Sequence, residues 1–361
     1  MSISVPPVRP FGLMHQMWQL ADDSAARFFS QTVEDVAYAD ELGFDSVWLA
    51  EHHYARPKRE YFSRVPDADM FLARLVPETS QIRLGTGIKI LPLDEPERIA
   101  ERIFLLDALS GGRVGCGLGQ GSPDEMGVRT LSKEGKRALY RERLARLVDI
   151  VTTHQAEGDL TLVPESGLRT PRILWAGVRD PESVALAAKL DVNLIIGEAE
   201  PGVRQAPFAA NYLASGGAGE VRGARLVCIA DSTEEAFATA APIAERIFSG
   251  EQGGVYYREA VAAGAVPDSR PASVEELCDQ MEFFVGTPDA VAAKLVRYVK
   301  TVRLTALNVV VHPPGISQAA ARRSLELFMS DVADQVQPHL LPRPVQPRPV
   351  QPRPVQPRPV A

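Results

Sequence analysis

Eight short apolar segments that alternate with helical patterns constrain the fold of this chain most. The segments are rich in Val, Ile and Leu, which is typical of parallel strands covered on both faces. They occupy residues 11–17, 45–50, 82–90, 113–119, 172–177, 192–197, 225–230 and 306–311. Helical stripes such as Tyr140, Leu144, Leu147 and Val151 lie between them. The alternation predicts a (β/α)8 TIM barrel with insertions.

A doubly wound α/β sheet also alternates strands and helices, but it usually carries a glycine-rich dinucleotide turn early in the chain. Here the glycines Gly115, Gly117, Gly119 and Gly121 come late and have a different spacing. The chain of 361 residues is also long enough for one large barrel. We therefore favour the barrel.

The C-terminal segment differs from the rest of the chain. From Pro342 the sequence reads PRPVQ three times and then PRPVA. Proline fixes φ and lacks an amide donor, so we expect a disordered, extended tail at 342–361 after a barrel domain at 1–341. A ligand for a proline-recognition module is the alternative interpretation.

Two insertions interrupt the alternation, one after the second strand at 55–67 and one before the last strand-helix unit at 250–286. Loops after barrel strands lie at the catalytic face. We therefore interpret 55–67 as a substrate rim or lid, with a decorative loop as the alternative. The second insertion is rich in aromatic residues, which suggest a planar or sizeable apolar substrate. These are Tyr256, Tyr257, Phe283 and Phe284.

The charge and cysteine content argue against several classes of protein. A net charge of −7 argues against a broad nucleic-acid or anionic-membrane surface. No apolar run approaches the roughly 18–20 residues that cross a bilayer, and the N-terminus lacks the features of a signal peptide. The cysteines, three in number and widely spaced, form neither a disulfide framework nor a zinc cluster. We therefore expect a cytoplasmic protein.

The second predicted strand ends in the segment Glu51-His52-His53. Carboxyl ends of barrel strands hold catalytic groups, and a neutral His can donate or accept a proton near pH 7. Because neighbouring strand residues point to opposite sides, only one of these two His side chains can face the barrel mouth. A structural His paired with Glu51, or a metal site that includes His15 or His312, remains an alternative.

Glycines and arginines near the next strand ends favour a flat or phosphorylated ligand. Gly87 in the third strand allows close backbone approach, and residues 117–122 offer backbone donors after the fourth. Arg137 and Arg179 lie near predicted helix starts, where anions bind readily. A tight turn and solvated surface arginines are the alternative explanations.

Several of these segments together resemble the bacterial luciferase-like flavin monooxygenase family. The matching pieces run in the family's order over residues 8–336. They are FDSVWLAEHH at 44–53, LGTGIKILP at 84–92, ERIFLLDALSGGR at 101–113, GLGQG at 117–121 and GTPDAV at 286–291. The combination of EHH with LDALSGGR is specific, whereas each piece alone is weak.

The resemblance implies a barrel, usually dimeric, that binds reduced FMN at its mouth. The reduced FMN is commonly supplied as a diffusing co-substrate by a separate NAD(P)H-dependent flavin reductase. Oxygen adds to the reduced flavin, and the resulting hydroperoxide oxygenates a small-molecule substrate.

The resemblance also implies roles for individual residues. His52 would be the catalytic histidine, and Gly87 and Ile88 would form a non-prolyl cis peptide under the flavin ring. The other implied cofactor-binding residues are Glu51, Gly119, Gln120, Arg137, Arg179, Asp180 and Ser183.

Two residues depart from the family pattern. Gln120 stands where an arginine helps to hold phosphate in the luciferases, and Asp180 places a like charge beside a dianion. Arg137 and Arg179 would compensate, or the phosphate affinity is low, which suits a flavin that arrives and leaves by diffusion.

The sequence therefore predicts a two-component FMN-dependent monooxygenase that oxygenates a sizeable organic substrate, such as an aromatic natural product. The alternatives are a deazaflavin-dependent oxidoreductase of the same fold, a flavin-binding protein without turnover, and a metal-dependent barrel hydrolase. We also expect a homodimer, with Phe104 and Leu105 as apolar surface on the helix after the third strand.

Overall fold

The computed structural model describes residues 8–53, 60–63, 65–121, 130–249, 254–269 and 271–344. The strands are β1 (Arg9–His15), β2 (Trp18–Leu20), β3 (Phe44–Leu49), β4 (Tyr61–Ser63), β5 (Arg83–Ile90), β6 (Val114–Gly119), β7 (Leu174–Gly177), β8 (Asn193–Ile195), β9 (Val221–Ile229), β10 (Phe284–Gly286) and β11 (Ala306–Val310). The helices are α1 (Ala25–Glu41), α2 (Ala68–Leu75), α3 (Pro96–Ser110), α4 (Lys133–Thr153), α5 (Pro181–Lys189), α6 (Gly202–Ala214), α7 (Thr233–Ala244), α8 (Gly254–Ala262), α9 (Val274–Gln280), α10 (Pro288–Val302), α11 (Gln318–Leu327) and α12 (Ala333–Val336).

Eight parallel strands close into a barrel. The order around it is β1, β3, β5, β6, β7, β8, β9 and β11, and β11 pairs back with β1. The eight predicted apolar segments supply these eight strands, although β9 begins earlier than residue 225, at Val221. The predicted TIM barrel is therefore confirmed, and a doubly wound sheet is excluded.

Three short strands of the described residues were not predicted. β2 pairs antiparallel with β4 at the edge of the barrel, and β10 pairs parallel with the carboxyl-terminal half of β9. Each is only three residues long. Such a length is too short to leave a recognisable period in the sequence.

The structure bears differently on the predictions for the two insertions. Residues 55–59 and 64 of the first lie outside the described residues, and the part that is described includes β4, which pairs with β2. In the second, Phe283 and Phe284 are buried in the core, so these two aromatic side chains contribute to packing. They lie where β10 and its preceding turn pack against the barrel.

The barrel interior is filled by large aromatic side chains. Trp48 on β3 and Trp175 on β7 are fully buried and meet edge to face, with ring centroids 4.8 Å apart. Gly85 on β5 provides the space, since a Cβ there would lie 2.6 Å from the Trp48 ring. The interior is therefore a packed core, and the open end is the carboxyl-terminal end, called the mouth below.

The apolar surface of α3 differs from the expectation that Phe104 and Leu105 form it. Phe104 is fully buried and stacks on His154, with ring centroids 4.3 Å apart. Leu105 and Leu109 are instead 51% and 55% exposed. The apolar surface of α3 is therefore formed by these two leucines and not by Phe104.

The cysteines Cys116, Cys228 and Cys278 are buried and carry free thiols. Burial raises the pKa of each thiol to about 12, so they are unreactive core residues. Among the helices of the described ranges, none combines the length and the apolar character needed to cross a membrane.

The proline-rich segment begins against the barrel. The Leu341 N–H donates to the Leu304 carbonyl at 2.8 Å, and the guanidinium of Arg343 pairs with Asp45 and Glu220. Residues 345–361, which make up most of the predicted disordered tail, lie outside the described residues.

Candidate active site

Four of the residues predicted for the site lie along one arc of the mouth. Strands β3, β5, β6 and β7 are neighbours in the barrel. Following that order, their carboxyl-terminal ends and the loops after them carry His52, Ile88, Gly119 and Asp180. Barrel closure thus gathers residues that are far apart in the chain.

Glu51 is held by partners within the protein. Its carboxylate is 2.8 Å from the Lys89 Nζ, and the same Nζ lies 2.9 Å from Asp69. All three side chains are buried or nearly so, and neither Lys89 nor Asp69 was recognised from the sequence. The network ties the segment after β3 to β5 and α2.

Neighbouring charges and hydrogen bonds outweigh burial in setting the pKa values of Glu51 and Lys89. Burial alone would raise the pKa of Glu51, but the hydrogen bond with His53 and the charge of Lys89 bring it down to about 2. Burial likewise opposes the charge on Lys89, yet Asp69 and Glu51 raise its pKa. Glu51 and Lys89 are therefore both charged at neutral pH.

The two neighbouring histidines lie in different environments. The His53 Nε2 is 3.4 Å from the Glu51 carboxylate, and its side chain is 24% exposed. His52 is exposed, and its backbone N–H donates to the Val65 carbonyl at 3.0 Å. Of the pair, His52 is therefore the more exposed residue.

Ile88 forms an apolar ledge at the mouth. The Gly87–Ile88 peptide bond is cis, which confirms the prediction drawn from the resemblance. The Ile88 side chain lies against β6 and β7 at the positions of Gly119 and Gly177. A Cβ on Gly119 would overlap the Ile88 Cδ1, and a Cβ on Gly177 would lie 2.7 Å from its Cγ2.

Gln120, Asp180 and Ser183 come together at the start of α5. The Gln120 Nε2 donates to Asp180 at 2.7 Å and to Ser183 Oγ at 3.2 Å. Asp180 caps the helix by accepting the Ser183 N–H at 3.0 Å, as the Asp-Pro pair in the sequence predicts. Burial opposes its charge, but hydrogen bonds from Ser183 and Gln120 lower the pKa of Asp180.

Two arginines of α4 face this group. Arg137 lies 3.9 Å from Asp180, and Arg141 lies 3.6 Å from it. Arg141 was missed in the sequence, although a position four residues after Arg137 shares its helix face. The arginines, Asp180 and the exposed Glu134 and Glu182 line a cleft of about 170 Å³.

The residues at the mouth are compatible with a planar ring such as a flavin, and those of the cleft with a loosely held phosphate. The Ile88 ledge, cleared by glycines, offers a flat apolar support for a planar ring. Arg137, Arg141 and the α5 N-terminus attract an anion. Asp180 repels an anion at this position, whereas Glu134 and Glu182 are exposed, so solvent screens their charges more strongly.

Arg179 points elsewhere. Its guanidinium pairs with Glu200 at 2.9 Å and is 55% exposed. It lines a small separate cavity together with Arg204 and Glu259. The structure therefore gathers Gln120, Asp180 and Ser183 but directs Arg179 to a different neighbour.

Two other strand ends at the mouth carry buried histidines. His15 and His312 stack with ring centroids 4.5 Å apart, and His312 Nε2 lies 3.1 Å from Asp35. Burial, followed by the neighbouring His312, lowers the pKa of His15 well below its usual value. Within the described part of the chain, no group of three His, Cys, Asp or Glu side chains is placed to hold a metal ion.

Comparison with known proteins gives a family and several relatives. The family model described as luciferase-like monooxygenase matches residues 10–304. Limonene 1,2-monooxygenase from Rhodococcus erythropolis is 27% identical over 347 residues, which are 91% of this chain and 86% of that protein. Several other curated relatives align over only about half of their length or less.

Solved structures share the fold. The oxygenating constituent of 3,6-diketocamphane monooxygenase from Pseudomonas putida, in complex with FMN, has a TM-score of 0.72 at 20% identity and covers 93% of this chain and 100% of its own. The coenzyme F420-dependent tetrahydromethanopterin reductase from Methanopyrus kandleri has a TM-score of 0.63 at 18% identity, with 92% and 100% covered.

Proposed function

Because this chain belongs to the luciferase-like monooxygenase family, we propose that it is the oxygenase component of a two-component system that uses reduced FMN and O2. The observation that carries the proposal is the Ile88 ledge, flanked by His52 on one side and by the Asp180 group on the other. A tricyclic ring needs a flat apolar support, and its phosphate needs cationic donors. One arc of the mouth offers both.

The reduced flavin is proposed to arrive from a separate NAD(P)H-dependent reductase. When bound, it supplies the two electrons with which one oxygen atom of O2 becomes water while the other enters the substrate. The P. putida relative is described as an oxygenating constituent and holds FMN, which supports this division of labour. A phosphate held by Arg137 and Arg141 across from Asp180 also suits a flavin that exchanges.

His52 is the proposed catalytic residue. Glu51 pairs with Lys89 and His53, so buried charges orient residues 50–53, the described segment directly after β3. The exposed His52 follows directly, and its ring nitrogen is proposed to hold or deliver a proton beside the reacting oxygen. Glu51 thus acts as a positioning residue.

The proposed substrate is a sizeable apolar organic molecule. Trp18 on β2 and Tyr61 on β4 meet edge to face at the rim, with ring centroids 6.0 Å apart. Together with the Ile88 ledge they offer an apolar wall that excludes water from the reaction. The relative named limonene 1,2-monooxygenase supports an apolar substrate class.

Replacing His52 by Ala tests the proposal. We expect product formation to fall by a factor of about 100 or more, because general acid–base groups contribute that much, while reduced FMN binding changes little. His339→Ala, an exposed histidine far from the mouth, is the control. Unchanged turnover in the His52 variant would refute the assignment.

The deazaflavin alternative is not favoured, because the matching family model and the curated relatives are described as monooxygenases, and the F420-dependent reductase shares only the fold. Separate titrations with reduced FMN and reduced F420 distinguish the two. Tight binding of F420 alone would contradict the proposal. Oxygen consumption with reduced FMN but without any coupled product, across a panel of apolar substrates, would instead indicate a flavin-binding protein without turnover.

We further propose that the protein works in the cytoplasm as a homodimer. The free thiols of the cysteines support a reducing compartment. The exposed Leu105 and Leu109 on α3 support an apolar contact between subunits.

A further inference from the structure

The amino-terminal end of the barrel, opposite the mouth, contains a buried charge cluster. Asp45 is the second residue of β3, and Glu220 and Arg222 lie at the start of β9. All three are buried. The Arg222 Nη2 is 2.8 Å from Asp45 Oδ2, and its Nε is 2.6 Å from Glu220 Oε1. One guanidinium thus bridges two carboxylates.

A second guanidinium bridges the same two carboxylates from outside. The Arg343 Nη2 lies 2.6 Å from Asp45 Oδ2, and its Nε donates to Glu220 Oε2 at 2.6 Å. Glu220 is fully buried, so without Arg343 this Oε2 would lose its hydrogen bond inside the protein. The Leu341 N–H, which donates to the Leu304 carbonyl, fixes the chain just before this contact.

The sequence around Arg343 is repeated. Arg343, Arg348, Arg353 and Arg358 each lie between two prolines in the same PRPV context. Segments of this kind favour the polyproline II conformation, which has no internal hydrogen bonds and loses little entropy when it docks. The chain therefore carries four copies of the Pro-Arg-Pro segment, and the arginine of the first copy already pairs with Asp45 and Glu220.

We propose that Asp45 and Glu220 form a binding site for an arginine within a Pro-Arg-Pro segment. In this chain the first repeat occupies the site, and the later repeats are interchangeable ligands for it. If Arg343 is removed, Arg348 takes its place, because lengthening the intervening loop by five residues costs little closure entropy. Any of the four arginines can thus form the ion pairs with Asp45 and Glu220.

Variants of the full-length chain test this site without altering the buried carboxylates. Changing all four tail arginines to Gln should lower the melting temperature by about 2–4 °C, because Glu220 loses a partner. Arg343→Gln alone should lower it by less than half as much. Arg297→Gln, an exposed arginine of α10, is the control and should leave the melting temperature unchanged.

The synthetic peptide PRPVQPRPV provides the second measurement. It should restore the melting temperature of the variant that lacks all four arginines, in a concentration-dependent way, and the peptide PQPVQPQPV should not. The site is refuted if that variant melts like the wild type or if the two peptides act alike. Equal losses in the single and fourfold variants would refute the interchange of repeats.

Discussion

Lys89 anchors Glu51 in the described segment after β3, residues 50–53. Its side chain is 3% exposed and is shared by Glu51 and Asp69. A lone lysine at such depth would be strongly unfavourable, and two carboxylates without it would repel each other. The same ion pairs that stabilise the barrel therefore hold Glu51, and through it the histidine segment, at the mouth.

Lys89→Met should destabilise the protein by about 3–5 kcal/mol at neutral pH, because it leaves buried carboxylates without a cation. Lys300→Met, which changes an exposed lysine of α10, should have almost no effect. Denaturation in urea measures both. A small loss in the Lys89 variant would mean that solvent reaches Glu51.

The same variant has a predicted pH dependence. The pKa of Glu51 is about 2 in the fold and 4.5 ordinarily. A lowered carboxyl pKa contributes stability that is present above pH 4.5 and lost as the pH falls toward 2. Asp69 opposes this, because burial raises its pKa. The acid loss of stability should be smaller in Lys89→Met than in the wild type.

Helix α5 combines two roles that conflict. Asp180 stabilises the helix start by capping it, yet its charge opposes a phosphate at the same N-terminus. Gln120, Arg137 and Arg141 all contact this carboxylate. The cap thus weakens the anion site that the helix would otherwise form.

Asp180→Asn should therefore strengthen FMN binding by about fivefold, since removing one like charge is worth roughly 1 kcal/mol. Asn is an equally good N-cap, so α5 should stay stable. Riboflavin has no phosphate, and its affinity should not change. If both ligands respond equally, Asp180 acts on the ring and not on the phosphate.

The barrel as a whole has two specialised ends. The mouth holds the Ile88 ledge, the histidines and the cleft beside Asp180, whereas the opposite end is closed by arginines and carboxylates. Trp48 separates the two, and its ring lies beneath the Arg222 guanidinium at 5.6 Å. This division lets the tail dock without contacting the proposed flavin site.

The assembly is tested by changing the surface of α3. The wild type should sediment as a dimer, and Leu105→Glu with Leu109→Glu should shift it toward monomer, because charges are unfavourable in an apolar contact. Val203→Glu, at a 60% exposed position of α6, is the control. A monomeric wild type would overturn the proposed homodimer.

Much of the architecture was predictable because its signals are local. Strand runs and helical stripes recur at fixed periods, so the eight barrel strands were recognised. The Asp180–Pro181 pair marks the start of α5 within two adjacent residues. The cis peptide at Gly87 was found only through the family resemblance, since no local pattern of a single sequence requires it.

Closure of the barrel determined the rest. Lys89 and Asp69 meet Glu51, Arg179 turns to Glu200, and Arg343 reaches Glu220 only because distant segments become neighbours in space. Phe104 is buried and Leu105 exposed because the packing of α3, and not residue type, sets which face points inward. Pairing between charges remote in sequence carries no periodic signal, so only the tertiary structure decides which charges meet.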